Sequence, residues 1–456
     1  MSGLNASLAT ALSGLMAEQG ALQATTNNVA NTNTPGYSRE VPVLTTSDPV
    51  VVDPLTLGTG VTLKTIESVR DPILESRIQQ ETQTQGQLSA LVSALSQTQV
   101  GFSSSSGDIG TAISNFFDSI NQLSTSPADL SLRQGVLTAA QNLATTFNIA
   151  ANNLTAQRSA LDGSVDQAVG QVNQLTGQIA QLNGQISSLE GVGQNAGTFI
   201  DQRTQLIDQL STLVDVSVIP TDNTLTLTTA SGTALVAGQT SFQLSARVDG
   251  SGEQHIFAQA SDITSTIVSG QLGGMLQARD QQIPSVQNQL DTLASGLANA
   301  VNAVQTAGYD LSGAKGTALF NAPPASGKGA ATNLSVAITD ASGIAASLDG
   351  SVGDNANAEA LYALRSQGII QGQSPTDYYA SVVFNVGNAV ANATAGQSAS
   401  NLVLQQLNDQ RASVSGVSLD QEAANMMRYQ QAYAASAQVI SSINTMMQTV
   451  INMKNS

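Results

Sequence analysis

The stretch NNVANTNTPGYSRE, residues 27–40, decides the fold, because a helical pattern stops there at a Pro-Gly pair. Thr34-Pro35-Gly36-Tyr37 puts Pro and Gly at the two central positions of a type II turn. Pro fixes φ at the first and Gly supplies the positive φ at the second, so the helix ends before it. Upstream, Leu8, Leu15, Leu22 and Val29 recur every seven positions, with Leu4, Ala11, Leu12 and Met16 widening the stripe. That spacing predicts a helix with a coiled-coil-like seam. Residues 1–33 carry one charged side chain, Glu18. The rest of the surface is Ser, Thr, Asn, Gln and Ala, which suits packing on protein, since a solvated helix face usually carries charge.

The other end of the chain has the same character. Gly416 breaks a helical pattern, and Ser418 with Gln421 forms a capping box for a last helix. Met426, Tyr429, Tyr433, Ile440, Ile443, Met447 and Val450 align on one side of it, and between Ala423 and Met453 its only charge is Arg428. Two such helices, about 45 Å long at the helical rise per residue, would bury one stripe against each other. The weakly polar remainder still seeks partners.

Between the ends, Val41 to Lys64 is rich in Val, Thr, Pro and Gly and reads as extended and irregular structure. Asp71-Pro72 with Glu75 starts a helix: a capping oxygen, a Pro in the first turn and an acid near the positive end of the dipole. Helical pattern then runs to about residue 213, interrupted at GFSSSSGD (101–108). Leu161, Val165, Ala168, Val172, Leu175, Ile179, Leu182, Ile186 and Leu189 alternate at spacings of four and three, which predicts a long helix packed lengthwise on others. Gly170, Gly177 and Gly184 fall on its opposite face. Two readings stay open for them: drift in a tolerant surface helix, or space for a closely approaching neighbour.

From Val216 to Ala260 the period changes to two, with DGSGE as a hairpin loop, so a small β-rich insertion is expected. Helix resumes through Leu272 to Val304, with Pro284 either kinking it or starting its main segment. APPASGKG (322–329) is a loop and LSVAIT (334–339) a short strand candidate. Ser374 to Asp377 cap a further helix whose stripe includes Tyr379, Val383, Val386, Val390, Leu404, Leu407 and Val414. The expected fold is mainly α with a β-rich insertion, α+β and multidomain. Residues 1–35 with 417–456 form a paired-helix domain, 36–215 with 270–416 a helical bundle, and 216–269 the β-rich domain.

Composition narrows the function. The formal charge is −17 with no basic run, which disfavours nucleic acid and anionic membrane surfaces. Cysteine is absent, so disulfides, thiolate metal sites and a cysteine nucleophile are excluded. No run approaches a membrane span, and the N-terminus lacks the basic and continuous apolar regions of a secretory signal, which taken alone indicates a cytoplasmic protein. The only histidine, His255, has no second imidazole or thiol for a zinc site. No nucleophile elbow and no phosphate-cradling glycine loop occurs. Asp420 and Glu422 sit in a first helical turn, where they answer the dipole. No catalytic, cofactor-binding or metal-binding residue is predicted, and no enzyme activity.

SLATALSGLMAEQGALQATTNNVANTNTPGYSRE (7–40) resembles the amino-terminal signature of flagellar rod, hook and hook-associated axial proteins, and SGVSLDQEAANMMRYQQAYAASAQVISSINTMMQTVI (415–451) their carboxy-terminal helix. Tyr37-Ser38-Arg39, FIDQRTQLIDQLSTLVDVSV (199–218) and SGVSLDQE are most similar to the hook-associated junction members. The resemblance implies export without a cleaved signal, folding at the tip of the flagellum, and a terminal helix pair lining a hollow tube with the β domain outermost. It implies a mechanical junction between hook and filament. Implied partners are further copies of the chain, hook protein, hook-associated protein 3 and an export chaperone, with no nucleic acid, membrane or cofactor. Leu8, Leu15, Leu22, Val29, Tyr429, Tyr433, Ile440 and Met447 are carried to the assembly interface, with Pro35, Gly36 and Tyr37 as its turn. An ordinary two-helix core would use the same eight residues. A hook or distal rod protein, or a secreted coiled-coil adhesin, are the alternatives.

Overall fold

The computed structural model describes residues 2–52, 55–102, 108–221, 224–250 and 252–454. Most of the GFSSSSGD interruption, and Ser251 in the DGSGE loop, lie outside them. Helix α1 (Ser2–Ala30) is followed by the Pro-Gly turn and a β-hairpin of β1 (Glu40–Thr46) and β4 (Val61–Ser68), extended at its tip by β2 (Val50–Val52) and β3 (Leu55–Leu57). The turn is as expected: Gly36 has φ +75° and Tyr37 N–H donates to the Thr34 carbonyl at 3.2 Å.

Helices α2 (Pro72–Phe102), α3 (Ile109–Thr125), α4 (Leu130–Gly191) and α5 (Gly197–Leu213) follow. The Asp71 carboxylate caps α2, accepting from Ile73 N–H at 3.0 Å and Leu74 N–H at 3.2 Å. At 62 residues, α4 extends roughly 90 Å. It serves two cores in succession. Its first half, through Val136, Leu143, Phe147 and Leu154, packs with α3. Its second half buries Val165, Val172 and Ile179 against α5 and a β-rich unit.

That unit comprises β5 (Ser217–Thr221), β6 (Thr224–Thr228), β7 (Ala234–Ala237) and β8 (Thr240–Ser241) in one antiparallel sheet, and β9 (Leu244–Val248), β10 (Gln254–Ala258) and β11 (Ser261–Asp262) in another. Leu227, Leu235, Val236 and Ile256 are buried in it.

The chain then enters α6 (Gly270–Gln277), a π-helical segment at Ala278–Gln282, and α7 (Ile283–Ala307). Pro284 is the second residue of α7 and follows the π-helical segment directly. A loop region with the short α8 (Ala330–Asn333) and α9 (Ala356–Ala363) completes the first core with α7. LSVAIT is not a strand. It makes one bridge, Phe320 with Val336, and turns Leu334 and Ile338 into the core instead of extending a sheet.

The long α10 (Pro375–Ser415) starts at the Ser374 cap, whose hydroxyl accepts from Asp377 N–H at 3.2 Å, and runs beside α2, with Leu91, Leu95 and Ala393 between them. The last helix, α11 (Leu419–Lys454), returns antiparallel along α1: Gly14 lies against Ser436 and Arg39 reaches Gln421 at 3.4 Å. Among the described residues no helix is long and apolar enough to cross a membrane.

Candidate assembly interface

The terminal pair does not use the leucine stripe as its closed seam. On α1 the buried residues are Ala17, Ala21, Ala24, Thr25 and Asn28. This small-residue face is turned to the hairpin and to α11, and a side chain at Gly20 would collide with Leu63 of β4. Small residues let both neighbours approach; the larger side chains fall to the flank.

Leu8, Leu15 and Leu22 are accordingly half-buried, and Val29 is 38% exposed. Leu12 and Met16 are exposed outright. On α11, Tyr429 and Ile443 are buried, Ile440 and Met447 half-buried, and Tyr433 is 37% exposed. Met427, Val439, Met446, Val450, Ile451 and Met453 stand in solvent. The eight residues read from the sequence therefore lie on or beside one helix pair without forming a closed core.

Glu18, the one charged residue of α1, lies within the influence of Arg428 of α11. Burial raises the Glu18 carboxyl above its usual range, and the nearby Arg428 guanidinium pulls it partly back. Arg428 is itself fixed over the Tyr429 ring, 4.8 Å from its centroid, and donates to the phenol oxygen at 2.9 Å.

The turn that follows α1 is a clamp as well as a stop. The Tyr37 hydroxyl donates to Asn28 Oδ1 at 2.9 Å, and burial, with Glu40, Asp201 and Glu422 adding to it, raises the phenol well above its ordinary value, so it stays a donor. Ser38 offers both its N–H (3.1 Å) and its hydroxyl (2.8 Å) to the Asp201 carboxylate on α5. Arg70 closes the ring, reaching Asp201 at 2.6 Å, Ser38 Oγ at 3.1 Å and the Gly197 carbonyl at 3.0 Å. Gln205 of α5 donates to the Pro35 carbonyl. The return crossing is tied to the same place, since Arg39 N–H donates to the Ser415 carbonyl at 2.9 Å.

Pro35, Gly36, Tyr37 and Ser38 of the Tyr37-Ser38-Arg39 motif are thus brought together with residues that sequence reasoning did not single out: Asn28, Glu40, Arg70 and Asp201. NNVAN and FIDQR carried the signal as motifs without showing that they touch. His255, by contrast, lies on β10 between Asp262 (2.8 Å) and Asp249 (3.5 Å). No group of three or more metal-ligating side chains is assembled among the described residues.

Two helices from opposite ends of the sequence, anchored through one clamp to a bundle and still showing large apolar side chains, have the build of a structural protein. Residues 8–37 match the family described as flagella basal body rod protein, and residues 409–453 the carboxy-terminal family of the flagellar basal body rod FlgEFG proteins. Residues 95–320 match the flagellar hook-associated protein FlgK helical domain. Flagellar hook-associated protein 1 of Bacillus subtilis is 30% identical over 98% of this chain and 97% of its own length. That of Escherichia coli is 27% identical over 97% and 99%. The structure of the flagellar hook junction protein FlgK from Burkholderia pseudomallei shares the fold, with a TM-score of 0.67 at 19% identity over 75% of this chain and 100% of its own. The chain belongs to the flagellar hook-associated protein 1 family, structural proteins of the hook-filament junction.

Proposed function

We propose that the terminal helix pair is the surface through which copies of this chain join each other and the neighbouring parts of the flagellum. The observation that carries this is the division of labour on α1 and α11. The small face of α1 and Tyr429 and Ile443 of α11 are used within the chain, and Leu12, Met16, Val439, Met446 and Ile451 are left exposed. Burying one such side chain fully is worth about 1.5–3 kcal/mol, so a ring of copies gains what a lone chain forgoes.

In this reading residues 1–35 with 417–456 line the inner core. Residues 36–215 with 270–416 form the next shell, and 216–269 face outward. Hook protein lies on one side and hook-associated protein 3 on the other. A cytoplasmic export chaperone holds the C-terminal region before export, which proceeds without a cleaved signal. No catalytic step is involved.

The test is a triple variant, Leu8→Ser, Leu15→Ser and Tyr433→Ser, expressed in place of the native protein. The expected result is an exported chain with an unchanged bundle, non-swimming cells, and filament subunits lost to the medium. Normal swimming with complete filaments overturns the assignment of these residues. Deleting residues 419–456 tests the helix pair as a whole by the same measurements.

A further inference from the structure

Directly beside the clamp lies a group of charged side chains that the junction role does not require. Glu75 stands in the first turn of α2, Asp208 on α5 seven residues after the clamping Asp201, and Arg411 near the end of α10, four residues before Ser415. Arg411 Nη1 is 3.6 Å from Glu75 Oε2 and 3.5 Å from Asp208 Oδ2. One guanidinium therefore serves two carboxylates. Glu75 Oε2 and Asp208 Oδ1 are buried and receive no hydrogen bond.

We propose that Glu75, Asp208 and Arg411 form a proton-dependent latch at the joint between bundle and terminal pair, tighter when Asp208 is protonated than when both carboxyls are charged.

The groups facing the latch come from three helices and the clamp. Helix α2 presents Glu75 and Gln79, and α10 presents Arg411. From the clamp, Arg70 and Asp201 act on Glu75 with opposite signs. Arg203, also on α5, is under the influence of Glu190 of α4 and of Arg70. Burial first, and then the charge of Glu75, pushes the Asp208 carboxyl up to about 6, with Arg411 and Gln79 pulling only partly back. Burial raises Glu75 as well.

The sign follows from linkage. A carboxyl raised from 3.8 in the unfolded chain to about 6 in the folded one adds stability that is complete below the lower value. That stability is lost as pH rises through the upper one. In mildly acidic surroundings Asp208 is neutral and no longer repels Glu75 across the shared Arg411. Above that range two like charges share one cation, and α2 and α5 repel.

The test uses the full chain, wild type against Asp208→Asn. Amide hydrogen exchange at Arg39 and at residues 415–419 is compared at about pH 5 and about pH 8, corrected for intrinsic exchange rates. Protection in the wild type is expected to fall several-fold at the higher pH, and the variant to lose that dependence. Asp215, a second buried carboxyl raised to about 6, is present in both chains, so its contribution cancels. Independently of that variant's folding, a carbon-13 titration of the wild-type Asp208 carboxyl should show a midpoint near 6 that drops in Glu75→Gln. Equal pH dependence in wild type and Asp208→Asn, or a midpoint in the ordinary carboxylate range, overturns the latch.

Discussion

Asn28 and Glu40 exchange two hydrogen bonds, as residues on adjacent strands do: the Asn28 amide donates to the Glu40 carbonyl at 2.8 Å and accepts from the Glu40 N–H at 2.8 Å. A carboxamide carries one donor face and one acceptor face, so a helix can use it to imitate a strand edge. The device recurs. Asn173 of α4 exchanges the same pair with Leu244 of β9, both at 2.8 Å, and Asn302 of α7 with Phe320, both at 2.9 Å. A chain with few charges thus docks loops and strands onto helices through amides.

Replacing Asn28 with Ala leaves the Glu40 backbone and the Tyr37 hydroxyl without their partner in a buried place. A loss of roughly 2–3 kcal/mol is expected in urea unfolding, since each orphaned buried group costs about 1–3 kcal/mol. Trypsin cleavage after Arg39 should accelerate in parallel. Unchanged stability and cleavage would mean that the clamp does not hold the hairpin.

Two glycines should respond in opposite directions. Gly36 has φ +75°, and an added Cβ would come within 2.7 Å of Gln205 Cγ. Gly36→Ala should therefore destabilise by about 1–3 kcal/mol. Gly177 lies within α4 with nothing inside 4 Å of an added Cβ, so Gly177→Ala should stabilise the isolated chain by about 1 kcal/mol through helix propensity. Chemical denaturation of the two variants beside the wild type decides both.

The two sides of α1 should also separate. Ala21 is 0% exposed between the hairpin and α11, and Ala21→Leu should cost about 1–3 kcal/mol by overpacking. Met16 is 60% exposed, and Met16→Ser should stay within about 0.5 kcal/mol of wild type in the monomer. Thermal unfolding reads both. Equal destabilisation would show that the single chain already buries its large side chains.

Asp215 offers a pH prediction away from the latch. It is fully buried, its Oδ2 accepts from Ala230 N–H at 3.1 Å, and burial raises its carboxyl from 3.8 to about 6. The associated stability is complete below the lower value and lost as pH rises through about 6. Asp215→Asn keeps an acceptor without a charge. Near pH 8 it should be more stable than wild type by roughly 1–3 kcal/mol, with the gain vanishing in acid. Calorimetric melting of both chains across that range is the measurement.

Much of the architecture could be read from spacing. The four-three alternation located the second half of α4, Asp71 and Ser374 marked two helix starts, and Pro35-Gly36 located the turn, because each is a local rule written in adjacent residues. What escaped depended on distant partners. Seven-residue periodicity identified the Leu8 to Val29 stripe as amphipathic, but the burial of the alanine face follows from the hairpin and α11, which no spacing within α1 encodes. Nothing in the residues around Arg133 marks it as buried, yet it is 1% exposed and donates to the carbonyls of Pro127 and Ile344. The buried amides were hidden for the same reason, since Asn and Gln read equally well as solvated polar residues. LSVAIT had strand chemistry and lacked a neighbouring edge to extend.

Because α1 lies along α11, the first helix has no helical mate until α11 itself has been made. Contacts spanning nearly the full sequence are the slowest to close. A prematurely terminated chain can complete its interior and still lack the antiparallel duplex. The duplex therefore closes only in chains that extend through α11.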